Sequence, residues 1–210
     1  MSGNKGGVFV TGTGTGVGKT ITAAWLVHHW RAAYWKPIQA GLDDGGDQAS
    51  IQTLAPGNRI IPPAYALNTP ASPHLAARLD GVQIDVASFR LPDAGDTPLV
   101  VEGAGGVLVP LNATELMADL ILYLGLPALV VARSELGTIN HTLLTVEALT
   151  RRNIPVMGIV MNGPANPENR AAIEHWAMVP VLAELPPLSS VDATAIAALP
   201  PPPFGPTLIE

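Results

Sequence analysis

The sequence predicts an α/β fold, a doubly wound, mostly parallel sheet with helices on both faces. Three observations predict it. Apolar runs such as "LVVEG" (99–103), "ALVVA" (128–132) and "VMGIVMN" (156–162) do not alternate with polar residues, which marks strands buried on both faces. Stretches of helical character separate them, so that strand, turn and helix recur. A Gly-rich turn, "TGTGTGVGKT" (11–20), joins the first apolar run to the first helix, where such a sheet opens its ligand crevice.

The elements follow in order. Val8–Thr11 reads as a short buried strand, and a helix runs from Lys19 to about Ala33 with Ala23, Ala24, Val27 and Trp30 on one face. Tyr34–Ile38 reads as the next strand. "GLDDGGD" (41–47) is a polar loop, and a short helix follows it to about Leu54. Residues 55–98 hold seven prolines and weak periodicity. Short helices are expected after Pro73 and near Asp85–Phe89, with loop elsewhere. From Leu99 the rhythm returns: strand 99–103, helix Glu115–Leu124, strand 128–132, helix Ile139–Arg152, strand 156–162, helix Pro167–Ala177 and a last short strand 181–185. One domain of 210 residues is expected, with about 199–210 a proline-rich tail serving as surface extension or linker.

Composition narrows the function. The net charge is −6 and Arg151-Arg152 is the densest basic cluster, so nucleic acid is not the expected partner. The absence of cysteine rules out disulfides, thiolate metal sites and a cysteine nucleophile, and fits a reducing compartment. "MSGNKGG" lacks the apolar stretch of a signal peptide. The most apolar run, Leu120–Ala132, is 13 residues broken by Gly125 and Pro127, too short for a bilayer. The expectation is a soluble cytoplasmic protein without a membrane partner.

The chemistry starts at the Gly-rich turn. Backbone N–H groups of such a loop and of the first helical turn point at one place, and the helix dipole favours an anion there. Lys19 supplies a charge for the β- and γ-phosphates, and the Thr20 hydroxyl suits Mg²⁺. The loop therefore reads as a nucleoside triphosphate cradle. It is one residue longer than the common form: five residues, "TGTGV", separate Gly12 from Gly18. "NKGGV" (4–8) imitates a lysine-bearing loop of partitioning ATPases, but its glycines precede the strand; in the real loop Gly14 stands where that lysine would be.

Further residues fall at strand ends, which face the crevice. Lys36, in "WKPIQAG" (35–41), is either placed to look toward the phosphates or a solvated edge lysine; Pro37 and the apolar flanks favour the first. Glu102 ends an apolar strand before Gly103, Ala104 and Gly105; a buried carboxylate there needs a cation, either Mg²⁺, which suits it, or a paired lysine. Asp47 is a second metal candidate and competes with Asp43 and Asp44. "SELGTINH" (134–141) opens a helix at Gly137, Thr138, Ile139 and Asn140. This is either a carboxylate-binding N-terminus or an ordinary capped start with Thr138 as cap. Asn162 before Gly163-Pro164 either reads a nucleobase edge or forms a turn.

Taken together, "FVTGTGTGVGKT", "KPIQAG", "TPASPH" (69–74), "VEGAGG", "LGTINH" and "MNG", in that order, resemble the dethiobiotin synthetase family, with "ELPPL" (184–188) a weaker match. The resemblance implies a P-loop fold and an ATP- and Mg²⁺-dependent ring closure. In it 7,8-diaminononanoate takes up CO₂ as a carbamate, ATP phosphorylates the carbamate, and the second amine closes the cyclic urea. It further implies that Lys36, Lys19 and Thr15 serve catalysis. Nucleotide would lie on Gly14, Gly16, Val17, Gly18, Lys19, Thr20 and Ile21, and on Gly103–Gly105. Thr20, Asp47 and Glu102 would ligate Mg²⁺. Asn162 and Gly163 would meet the adenine, closed over by Pro186, Pro187 and Leu188. Thr15, Lys36 and Ala40 would meet the substrate. Gly137–Asn140 of one subunit of a homodimer would bind the substrate carboxylate in the other's site. Two departures stand out. Ala40 replaces the usual Ser or Thr, which predicts weaker substrate binding unless Thr15 or a water compensates. The acidic residue expected after "ELPPL" is replaced at best by Asp192, which predicts looser preference for ATP over CTP or GTP. Other readings are a nucleotide-switch ATPase of the partitioning type, an amide-forming P-loop ligase and an inactive ATP-binding module.

Overall fold

Val8 and Val10 pack on one face of a central sheet and Phe9 on the other, all fully buried, the period-two signature of a strand covered on both sides. The computed structural model describes residues 6–42 and 45–206. Residues 1–5, which carry most of the signal-peptide reading and the start of "NKGGV", Asp43 and Asp44, the rival metal candidates, and residues 207–210 lie outside the described residues.

The strands are β1 (Gly7–Gly12), β2 (Ala33–Trp35), β3 (Ile38–Ala40), β4 (Ile60–Ile61), β5 (Tyr65–Leu67), β6 (Leu99–Gly106), β7 (Ala128–Arg133), β8 (Val156–Asn162) and β9 (Val181–Leu185). The helices are α1 (Lys19–Trp30), α2 (Gly46–Leu54), α3 (Pro73–Leu79), α4 (Met117–Leu124), α5 (Thr138–Thr150), α6 (Pro167–Ala177) and α7 (Ala193–Ala198), with a 3₁₀ turn at Val86–Ser88. Seven strands form one sheet in the order β4-β2-β6-β1-β7-β8-β9, every pair parallel. The doubly wound α/β expectation therefore holds. The chain winds from β1 toward β2, returns through β6 and crosses to β7, so β1 lies where the winding reverses and its C-terminal end opens into the crevice.

Three departures from the sequence reading have physical causes. The expected strand Tyr34–Ile38 is two strands. Pro37 has no N–H to donate, so β2 stops at Trp35; β3 then pairs with β5 in a separate two-stranded sheet. Ala64 and Tyr65 both donate their N–H to the Pro37 carbonyl, at 2.9 and 3.0 Å. The proline-rich region read as loop thus contains β4 and β5, each too short to show periodicity. The proline-rich end is not a free extension. Trp25 Nε1 donates to the Pro200 carbonyl at 2.8 Å, and Phe204 sets its ring edge-on to Trp25 and Trp30. The reason lies in α1, where every residue from Thr22 to Val27 is buried. A helix apolar on all sides must be covered on all sides, and Ile196 of α7 with Leu199 and Phe204 cover the side the sheet cannot.

Candidate active site

The turn after β1 keeps the backbone that its glycines allow. Gly16 and Gly18 hold φ of 70° and 96°, a region that penalises side chains. Gly18 is the N-cap of α1, and a Cβ there would sit 2.4 Å from the Asn162 amide. Gly12 is constrained differently, since a Cβ would meet Val17 Cγ2 at 2.7 Å. Lys19 folds back and donates to the Gly14 carbonyl at 2.8 Å. Burial holds its pKa below the ordinary lysine value; Glu102 pulls the other way and Lys36 adds to the drop.

Lys36 lands where Pro37 breaks β2, and it is buried. Its ammonium lies 2.5 Å from Asp47 Oδ2 and 3.2 Å from Glu102 Oε1. The Thr20 hydroxyl lies 2.8 Å from Asp47 Oδ1 and 3.1 Å from Glu102 Oε1. Four sequence-distant segments thus meet: the start of α1, the residue after β2, the start of α2 and the middle of β6. Burial lowers the affinity of Lys36 for its proton, but Glu102 and Asp47 outweigh it and raise the pKa, so Lys36 stays cationic. For Asp47, burial pushes upward and the Lys36 ion pair prevails, leaving the carboxyl below its ordinary range.

The donor set suits Mg²⁺. Among the described residues no group of three or more His, Cys, Asp or Glu could cage a metal. What converges is two carboxylates and one hydroxyl around a cation, here the Lys36 ammonium. Such a partial shell, completed by water and phosphate oxygens, matches how Mg²⁺ is usually held. Asp47, the described member of the three acidic candidates in the 41–47 loop, stands at the cluster.

Sequence reasoning missed Tyr34. Its hydroxyl, fully buried, donates to Glu102 Oε2 at 2.9 Å. Burial first, and the Glu102 charge second, raise its pKa well above the ordinary tyrosine value, so it remains a neutral donor. The only signal was position: Tyr34 lies beside Glu102's strand, paired to Val100, which no single-strand pattern reveals. Tyr34→Phe is expected to leave one buried carboxylate oxygen short of a donor and to lower stability by about 1–2 kcal/mol. A urea midpoint equal to that of the parent protein would refute this.

A cavity of about 690 Å³ opens above the cluster. Of the expected residues, Thr15, Gly16, Gly18, Lys19, Thr20, Ile21, Lys36, Ala40, Asp47, Glu102, Ala104 and Gly105 line it. Gly103 does not, because its open side faces Phe9, 2.7 Å from where a Cβ would sit; it is needed for core packing. Across the cavity stand Pro70, Ala71, Ser72 and Pro73 of the "TPASPH" string; the Ser72 hydroxyl lies 3.2 Å from His74 Nδ1. A smaller adjoining cavity of about 240 Å³ gathers Val17, Asn162, Gly163, Pro186, Pro187 and Leu188. The Asn162 amide donates to Val17 O at 3.1 Å, Gly18 O at 3.3 Å and Thr22 Oγ1 at 3.2 Å, tying β8 to the loop. Asp192 caps α7 by accepting from Ala195 N–H at 2.9 Å, and it is Val191 that lines this smaller cavity.

The start of α5 stands apart. Gly137, at φ 95°, is the N-cap. Thr138, the cap in one of the two readings, is instead the first helical residue, and its hydroxyl donates to the Arg133 carbonyl. Gly137 and Asn140 are exposed and Ile139 is half-buried; none of the four from Gly137 to Asn140 lines the main cavity.

Comparison with known proteins is informative over most of the chain. A family model described as "AAA domain" matches residues 6–195. The chain is 59% identical over 198 residues to "ATP-dependent dethiobiotin synthetase BioD" of Paramagnetospirillum magneticum, covering 94% of this chain and 96% of that protein. It is 50% identical over 187 residues to the protein of the same name from Brucella ovis, covering 88% of each. Among solved structures, a ParA family ATPase from Chlorobium tepidum superposes with a TM-score of 0.54 at 14% identity, over 92% of this chain and 90% of that one. A likeness that remote speaks for the fold alone.

Proposed function

Since this chain belongs to the ATP-dependent dethiobiotin synthetase family, it is an ATP-dependent ligase of biotin synthesis, and we propose that the Lys36 cluster is where it makes dethiobiotin. The observation that carries this assignment is the meeting of Lys36, Thr20, Asp47 and Glu102 beside Lys19 at the C-terminal edge of the sheet.

In this reading 7,8-diaminononanoate lies in the main cavity between Lys36 and the Pro70–Pro73 wall, with Thr15 and Ser72 as hydroxyl partners beside Ala40. One amine takes up CO₂ as a carbamate. The carbamate oxygen attacks the γ-phosphorus of ATP, the bond to the β-phosphate oxygen breaks, and ADP leaves. The second amine then attacks the carbamoyl carbon, phosphate departs, and the cyclic urea is closed. Each step gathers negative charge on phosphoryl or carbamate oxygens, so stabilisation is electrostatic and needs no protein nucleophile. Lys36, buried and kept cationic, faces that charge, and Lys19 turns from the Gly14 carbonyl to the phosphates. Thr20, Asp47 and Glu102 would hold Mg²⁺, which supplies charge neutralisation on the phosphates. Asn162, with its amide N–H groups engaged by the loop, offers its carbonyl oxygen to the adenine amino group beside Gly163 and Pro186–Leu188.

The protein acts as a cytoplasmic homodimer in this reading. Leu108, Leu136 and Leu144 are more than half exposed around the start of α5, and a second copy would cover them. That arrangement would bring Gly137–Asn140 of one subunit to the substrate carboxylate in its partner. No described helix is long and apolar enough to cross a membrane.

The test is direct. Protein incubated with ATP, Mg²⁺, bicarbonate and 7,8-diaminononanoate is expected to yield dethiobiotin, detected by mass spectrometry and absent when bicarbonate is withheld. ATP binding without bicarbonate-dependent product would overturn the substrate assignment.

A further inference from the structure

We propose that Arg133 is a positioning residue for the nucleotide loop: its guanidinium holds the Gly16 carbonyl outward and so keeps the loop's N–H groups arranged for the phosphates. The inference rests on ATP binding at this loop.

The loop needs such a support. It carries Gly12, Gly14, Gly16 and Gly18 and is one residue longer than the common form. Glycine has the greatest backbone freedom to lose, and every residue that is ordered costs conformational entropy. A loop that pays this only when ATP arrives binds ATP less well than one already ordered. For N–H groups to face an anion, neighbouring carbonyls must face away and find donors elsewhere. The Gly16 carbonyl, at the exposed apex of the loop, finds Arg133: Nε lies at 3.2 Å and Nη2 at 2.7 Å.

Arg133 is suited to this by its place in the chain. It is the last residue of β7, paired in register with Asn162 of β8. Its own carbonyl accepts the Thr138 hydroxyl from the first turn of α5, which fixes the backbone from which the side chain reaches. The remaining nitrogen, Nη1, lies 3.6 Å from a Glu135 oxygen. One edge of the guanidinium fork thus grips the loop while the other lies near an exposed carboxylate; a lysine cannot copy the grip because it has no second parallel N–H. The contact is close, since a Cβ on Gly16 would stand 3.2 Å from Nη2. Nothing about Arg133 suggests a core role, because its side chain is 50% exposed. It also borders the small cavity with Asn162 and Pro186–Leu188, so the support acts beside the nucleotide, away from the diamine wall at Pro70–Pro73.

The experiment compares the parent protein with Arg133→Ala, Arg133→Lys and Glu135→Gln. Calorimetry measures binding of a non-hydrolysable ATP analogue with Mg²⁺, and steady-state kinetics give KM for ATP and for the diamine. Arg133→Ala is expected to weaken the analogue and raise the ATP KM by about five- to tenfold, the size of one net hydrogen bond. The kcat, the diamine KM and Tm should stay near their parent values. Arg133→Lys should recover part of the loss through a single bond, and Glu135→Gln should have little effect. The proposal is overturned if Arg133→Ala binds the analogue as the parent does. It is equally overturned if both KM values and Tm shift together, or if Arg133→Lys is no better than alanine. Failure of the parent itself to bind the analogue would instead strike the ATP assignment of the loop.

Discussion

Lys36→Ala is expected to lower turnover by about 10²–10³-fold, the usual cost of removing a buried group that faces developing charge, while ATP binding is nearly retained. The split follows from position. In the proposed arrangement the loop and Lys19 would cradle the phosphates, whereas Lys36 comes from the far side, beyond the end of β2, at the carboxylate cluster. A contact that strengthens only as charge moves onto the transferring group affects kcat rather than ground-state binding. The variant should also be less stable without Mg²⁺. Glu102 is almost fully buried and would keep only the Thr20 and Tyr34 hydroxyls; breaking a buried ion pair costs about 3–5 kcal/mol. Mg²⁺ and ATP should restore part of that loss. Turnover within about threefold of the parent would remove Lys36 from the chemistry.

Glu102→Gln should act on the metal. The substitution keeps size and one oxygen but removes a charge from a site of two carboxylates and one hydroxyl. The Mg²⁺ concentration for half-maximal activity is expected to rise about 10–100-fold, in the range seen when metal-site partners are lost, with a further loss of kcat at saturating metal. Lys36 would keep its Asp47 contact, so the apo protein should lose less stability than Lys36→Ala does. A Mg²⁺ titration that superposes on the parent's would take Glu102 out of the metal shell.

These two residues also mark what could be read before folding. Glu102 was legible because a carboxylate directly after an apolar run is chemically anomalous, although β6 does not end there but runs on to Gly106; Lys19 and Thr20 were legible because their spacing from Gly18 has one common use. Lys36 was legible as a site residue, but not as the consequence of a broken strand: the pattern Tyr34–Ile38 looked continuous, and only the missing Pro37 N–H divides it between two sheets. Asp47 could not be separated from its acidic neighbours, since solvated and ligating carboxylates look alike in a loop.

The sequence by itself determined the parallel α/β class, the nucleotide loop and the family, because apolar runs, glycine spacing and ordered motifs are local properties of the chain. Tertiary structure decided the rest. Tyr34 became a partner of Glu102 only through the β2–β6 pairing. Gly103 proved to be a packing residue because Phe9 occupies its open side. The proline-rich end became a cover for α1 because that helix is apolar all round. Arg133 reached Gly16 across 117 residues of chain. Each depends on which strands and helices become neighbours, and that is set by the order in which the sheet is wound, which no local pattern encodes.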